Sequence, residues 1–258
     1  MKQKIKIPMG APLFKYEKYL KENNVEIFSS NYVLYGDISQ RVMTTLASFT
    51  PNIEIYSIDE AFLDLSGFVS HTNLEDYGKK IRKKVLKNIG IPTSVGIAPT
   101  KTLAKIAASI AKKYPQLLGA HLIDSSEKIE KALRWTPIKD VWGIGWGYLK
   151  KMEKWNIKTA YDFTLLTDEF VKKNMGSQGL RVKNELEGCS CISIENKISH
   201  RKAVATTRTF SSSIQDLNKL EQVVSNFAIN CALKLRKEGT FCNSLTVYLK
   251  TDKYRKNQ

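Results

Sequence analysis

The chain has 258 residues, with 41 Lys plus Arg against 25 Asp plus Glu and a formal charge of +16. That surplus disfavours self-association and attracts polyanions, and the lack of a concentrated basic amphipathic helix points to nucleic acid rather than an anionic membrane. Hydrophobic residues make up 42%, with no run long enough to span a bilayer and too short an apolar start for a secretory signal, so the chain reads as soluble, cytoplasmic and long enough for two or three domains.

In residues 31–50, NYVLYGDISQRVMTTLASFT, the spacing of Val33, Ile38, Val42, Met43 and Leu46 predicts a helix with an aromatic-rich entry. IEIYSI then alternates as a strand, with Ile53, Ile55 and Ser57 on one face and Glu54, Tyr56 and Ile58 on the other. The pattern meets two adjacent acids, Asp59 and Glu60, and resumes as AFLDLSG, which Ser66 and Gly67 end. NLEDYGKKIRKKVLKNIG places Leu74, Tyr77, Ile81, Val85 and Ile89 on one helical stripe, with a solvated basic face and Gly90 as its stop. PTSVGIA reads as a short buried strand, and PTKTLAKIAASIAKKYP as a helix opened by Pro99 and Thr100 and closed at Pro115. AHLID is a further strand, and SSEKIEKALRW a short helix capped by Ser125 or Ser126. This first half is α+β, close to a ferredoxin-like layer around an acid-bearing hairpin.

After WTPIKD the composition shifts. VWGIGWGYLKKMEKWNIKTAYDFTLL is helical around a glycine turn, and EFVKKNMGSQGLRVKNELEG extends the helical region to about Gly188. Periodicity lapses in CSCISIENKISHRKA, which predicts a linker. A strand (AVATTRTFSS), an amphipathic helix with Leu217, Leu220, Val224, Phe227, Cys231 and Leu235 on one stripe, and a strand (SLTVYLKT) follow. These make an unlikely free-standing domain, and the chain reads as cut short there. Cys189, Cys191, Cys231 and Cys242 lack two pairs at zinc-finger spacing, and His71, His121 and His200 are scattered. Free thiols are expected, and neither a zinc site nor a histidine-based triad.

Three features could carry chemistry. Asp59 and Glu60 converge at a turn, where two carboxylates suit a hard divalent ion, and their apolar flanks predict partial burial that a bound cation would relieve. The bland alternative is an exposed acidic turn. Lys101, Lys105 and Lys112 share a broad helix face that suits a triphosphate, or is simply solvated. Gly143 and Gly145 flank Ile144 in a turn that can present amides to a phosphate, with Lys150 and Lys151 adding charge, or can be a plain helix–helix turn.

SSNYVLYGDIS, IEIYSIDEAFLDLSG, SVGIAPTKTLAKIAASIAKK and DVWGIG, in this order and at these distances, resemble the Y-family translesion DNA polymerases, most of all their UmuC-like branch. The resemblance implies an N-terminally truncated palm over residues 1–135 and a helical thumb with a helix-hairpin-helix turn over 136–188. A linker over 189–200 and part of a little-finger domain over 201–258 would follow. It implies error-prone, template-directed nucleotidyl transfer with two magnesium ions, in which Asp59 and Glu60 are metal ligands. Lys112 would touch the incoming triphosphate, and Lys105 and Lys101 are further phosphate or DNA contacts. Gly143 and Gly145, with Lys150 and Lys151, would face the primer strand, and Thr206 and Arg208 the template backbone. Primer-template DNA and deoxynucleoside triphosphates are the implied partners, with a UmuD-like subunit and a sliding clamp for the full-length protein, and no membrane. Family members begin with an aspartate-bearing strand and a fingers domain. Here MKQKIKIPMGAPLFKY resembles the segment after the fingers, so this chain alone is expected to be weak or inactive. A non-catalytic DNA-binding remnant is the alternative, and a nucleotidyl-cyclase-type palm a more distant one.

Overall fold

The computed structural model describes residues 7, 8, 10–68, 70, 72–195, 202–210 and 213–250. His71, His200, residues 196–200 of the expected linker, Ser211 and Ser212 of the expected strand, and the tail from residue 251 lie outside the described residues.

A short helix, α1 (Glu17–Glu22), precedes α2 (Tyr32–Ala47), where the Asn31 side chain accepts a hydrogen bond from the Leu34 amide at 3.0 Å and so caps an orphan donor. Strands β1 (Ile53–Ile55) and β2 (Ala61–Leu63) pair antiparallel, with Ile53 opposite Leu63. Helix α3 (Leu74–Ile89) starts on the Asn73 side chain and stops at Gly90, burying Ile81 and Val85. A right-sized crossover follows: β3 (Val95–Ile97), α4 (Lys101–Lys113) and β4 (Ala120–Leu122), with β3 and β4 parallel. Helix α4 lies so close on β3 that a Cβ at Gly96 would stand 2.1 Å from the Ala104 carbonyl oxygen and 2.2 Å from the Ala108 nitrogen. Only glycine allows that approach.

Ser125 caps α5 (Ser126–Trp135), which leads to α6 (Trp146–Lys154), α7 (Ala160–Thr164) and α8 (Asp168–Leu186), the last interrupted at Gly176. One core joins these helices to α4: Leu103, Ile106 and Ile110 pack with Ile123, Leu133, Ile138, Met152, Phe163, Val171 and Leu186. It runs unbroken across residues 135 and 136, the expected boundary between palm and thumb.

The four strands do not form one layer. Among the described residues they make two separate two-stranded ladders, β1–β2 and β3–β4. A single ferredoxin-like sheet needs hydrogen-bonding strands between these ladders, and the described residues supply none between β2 and β3.

Residues Met1–Lys197 form one compact unit and Ile198–Gln258 a second. The second contains α9 (Leu217–Lys237), capped by Asp216. The strands expected over 203–210 and 244–250 are not formed among the described residues. A strand exists only through ladder partners, and here the Ala205 carbonyl accepts from Lys234 Nζ at 2.8 Å instead. No helix among the described residues is long and apolar enough to cross a membrane.

Candidate active site

The hairpin determines where the two acids stand. β1 stops at Ile55 and β2 begins at Ala61, so residues 56–60 form a turn closed by the Tyr56 and Ser57 amides, each donating to the Glu60 carbonyl at 3.0 Å. The apolar flanks were expected to bury Asp59 and Glu60 in part. Both are exposed, because the turn projects past the ends of the strands that carry the apolar residues. Their charge is met locally. Ser57 Oγ donates to Asp59 Oδ1 at 2.6 Å, and Lys105 Nζ donates to both carboxylate oxygens of Glu60 at 2.7 Å.

Three aromatic rings surround that ammonium. Lys105 Nζ lies 4.9 Å from the Tyr56 ring centroid, 5.4 Å from Trp142 and 5.9 Å from Phe62. Trp142 Nε1 donates to the Tyr56 hydroxyl at 3.0 Å, and its ring meets that of Tyr56 edge-on at 5.4 Å. Lys105 is therefore held by the acid hairpin and by the segment that opens the glycine turn.

One helical turn earlier, Lys101 is committed differently. It ion-pairs with Glu54, donates to the Ser193 carbonyl at 2.8 Å and sits 4.9 Å over Phe62, with a side chain only 6% exposed. Glu54 also accepts from the Glu195 amide at 2.7 Å. This ammonium fastens hairpin, helix and the 193–195 segment together rather than reaching outward. Lys112 stands exposed near the other end of α4, with no ion pair among the described residues.

Asp59, Glu60, Lys101, Lys105 and Lys112 all line one cleft of about 1730 Å³, whose apolar walls include Met43, Leu63, Val95 and Ile97. Among the described residues no three His, Cys, Asp or Glu side chains gather to hold a metal. Magnesium, however, takes one or two protein carboxylates and fills its shell with water and phosphate oxygens. Two acids at an open cleft fit that demand, and the ammonium chelated by both oxygens of Glu60 is a stand-in cation.

The glycine turn follows from separate constraints. Gly143 has φ +92°, and a Cβ there would stand 2.7 Å from Val182 Cγ2, while Ile144 between the glycines is buried. Gly145 caps α6 without a side-chain bond, and a Cβ on Gly145 or Gly147 would meet nothing within 4 Å. A hollow of about 480 Å³ bordered by Gly143, Gly145, Gly147, Tyr148 and Lys151 lies at the start of α6, where the Ile144 amide donates to the Val141 carbonyl at 3.1 Å and the Tyr148 amide to the Gly145 carbonyl at 2.9 Å, which leaves the Trp146 and Gly147 amides between them. Lys151 Nζ donates to the Asn174 carbonyl at 2.7 Å, whereas Lys150 sits 5.7 Å from the exposed Trp146 ring. In the second unit the Thr206 hydroxyl accepts from Lys234 Nζ at 3.3 Å, and Arg208 is exposed.

Sequence reasoning missed Glu185. Its fully buried carboxylate accepts from the amides of Thr102 at 3.1 Å, Cys191 at 2.7 Å and Ile192 at 3.1 Å, and its carbonyl accepts from the Thr100 hydroxyl at 2.7 Å. It joins the start of α4 to residues 191–192. The expected linker is therefore strapped to the first unit as far as Glu195. The available signal was an acid three residues after Val182 on the apolar stripe of α8, a position that demands partners.

Residues 2–109 match the model of the impB/mucB/samB family, and residues 201–258 that of the impB/mucB/samB family C-terminal domain. The chain is 37% identical to protein UmuC of Salmonella typhimurium over 253 residues, 98% of this chain and 60% of that protein. It is 32% identical to protein MucB of Escherichia coli over 252 residues, again 98% and 60%. DNA polymerase IV 1 of Halalkalibacterium halodurans is 23% identical over 94% of the chain and 58% of that protein. The chain thus spans about 60% of the length of these curated relatives. An insertion ternary complex of Dbh DNA polymerase superimposes with a TM-score of 0.62 at 25% identity, covering 74% of this chain and 54% of that one. DinB from Sulfolobus solfataricus gives 0.61 at 25%, covering 74% and 55%.

Proposed function

Because the chain belongs to the impB/mucB/samB family, we propose that it carries the catalytic core of an error-prone, template-directed DNA polymerase that extends primers across damaged template. The observation that carries this reading is that the hairpin acids share one cleft with Lys105 and Lys112 of α4, whose wall Lys101 braces. The α+β fold shared with Dbh and DinB polymerases supports it. In this reading residues 1–135 form the palm, 136–188 a helix-hairpin-helix thumb, 189–200 the connection and 201–258 part of the little finger. The protein works in the cytoplasm on primer-template DNA and deoxynucleoside triphosphates, with a UmuD-like subunit and a sliding clamp as partners of the full-length polymerase.

Asp59 and Glu60 would hold magnesium, two ions of which would supply charge stabilisation for phosphoryl transfer. The remaining work is positioning, since phosphoryl transfer needs little covalent help from protein. Lys112, exposed at the cleft and without an ion pair among the described residues, neutralises the triphosphate. Lys101 contributes by fixing the hairpin through Glu54. The Trp146 and Gly147 amides that follow Gly145 receive a primer phosphate, with charge from Lys150. Thr206 and Arg208 follow the template backbone.

Magnesium-dependent primer extension tests this. The 258-residue chain should extend poorly, and a chain prolonged at its N-terminus by the corresponding segment of the Salmonella UmuC protein should extend well. Equal inactivity of both, with intact DNA binding, would favour a second reading, a non-catalytic DNA-binding remnant. The ammonium already seated on Glu60 is the observation on that side. Asp59→Ala then leaves primer-template affinity unchanged.

A further inference from the structure

Lys105 was expected to contact phosphate, yet it chelates Glu60 through both carboxylate oxygens inside a three-ring enclosure. Two physical facts meet there. Any cation that takes both oxygens of Glu60 must first displace the ammonium, because the two occupy the same lone pairs. A displaced lysine elsewhere would swing into water, but the rings of Tyr56, Phe62 and Trp142 already lie within 6 Å of this ammonium while it sits on Glu60, and their negative faces favour its staying beside them once it is displaced. The enclosure is itself braced, since Trp142 is hydrogen-bonded to Tyr56 and packed on Phe62 at 5.8 Å.

We propose that Lys105 is a built-in place-holder: its ammonium occupies Glu60 until a divalent cation displaces it, and the Tyr56–Phe62–Trp142 enclosure retains it beside the carboxylate it has left. This rests on the reading of Glu60 as a cation ligand. The place-holder keeps Glu60 aimed into the cleft and its charge compensated when no cation is present. It also raises the cation concentration needed to fill the site, as any competitor for the same form must. Lys105 is thus a positioning residue for Glu60. Trp142, at the entrance to the glycine turn, registers whether the ammonium is on Glu60 or on the rings.

Mn²⁺ is the probe, with free ion read by electron paramagnetic resonance on the purified chain. Emission from Trp142 is isolated by subtracting a Trp142→Phe variant. Lys105→Met, which keeps length and loses charge, should bind Mn²⁺ roughly fivefold more tightly than wild type, the factor expected for losing one partly exposed ion pair. Lys105→Arg should stay near wild type. Mn²⁺ should shift Trp142 emission in wild type but not in Lys105→Met. Binding that is lost in Glu60→Gln yet unchanged or weaker in Lys105→Met overturns the place-holder alone. Binding that is equal in wild type and Glu60→Gln overturns the cation-ligand reading of Glu60, and the place-holder with it.

Discussion

Lys101 and Lys105 lie one turn apart on the same face of α4, and the hairpin opposite them gives the same charge two different duties. Lys101 is buried against Glu54, so removing it leaves a carboxylate that is only 14% exposed without its main counter-charge. Lys101→Met should lower unfolding free energy by about 3 kcal/mol in urea titrations, and the double variant Lys101→Met/Glu54→Leu should recover most of that loss, since an apolar pair removes the stranded charge. A double variant no better than the single one would mean the pair is not acting as a unit. Helical spacing alone places both lysines on one face. Which of them is solvated depends on Glu54, Ser193 and Phe62, whose proximity no local pattern announces. Glu185 was illegible for the same reason: its three amide partners come from two segments that are remote from one another in sequence.

At the scale of elements, the helices followed their periodicity and caps. Asn31, Asn73, Thr100 and Ser125 each accept a hydrogen bond from an amide in the first turn they introduce. Helix α7 adds a full capping box, in which Thr159 receives the Asp162 amide and Asp162 receives the Thr159 amide. Burial pushes the Asp162 carboxyl up, but the amides of Thr159 and Lys158 and the Thr159 hydroxyl outweigh it and hold the group below its ordinary value. A depressed folded value stabilises above the unfolded one and loses that contribution as pH falls through the folded value. Asp162→Asn should therefore cost about 1 kcal/mol near pH 7, a difference that thermal melts should show shrinking once the pH falls below the ordinary carboxylate value of about 3.9 and on through the lower folded one. Gly96→Ala should be the harsher change, about 3 kcal/mol, because its Cβ would meet the backbone of α4 rather than a yielding side chain. A melting temperature within a degree or two of wild type would show that α4 can lift off β3 at little cost. The hairpin was legible as two strands and a turn. The expected burial of its acids failed because a turn of five residues carries them beyond its apolar strands.

For the whole molecule, a charge of +16 predicts salt-sensitive binding to DNA, but the structure separates charges that are free from charges in use. Lys150→Ala should reduce the slope of log affinity against log salt for primer-template DNA by about one. Lys151→Ala should lower the slope less than Lys150→Ala and should also lower thermal stability, since its ammonium is tethered to the Asn174 carbonyl. Equal slopes for both variants and wild type would remove the glycine-turn face from the DNA interface. By itself the sequence determined the long helices, the Thr100 and Ser125 starts and the Gly90 stop, the acid hairpin, the glycine turn and the resemblance to a family, because those follow from short-range periodicity, capping chemistry and ordered motifs. Only the tertiary structure decided that α4 shares one core with the helices of residues 126–186, and that β1–β2 and β3–β4 stay apart across a cleft. It alone decided that Lys105 sits on Glu60 and Lys101 on Glu54. Ion pairing and ladder completion depend on which distant segments meet, and that is set by packing rather than by any neighbouring residue.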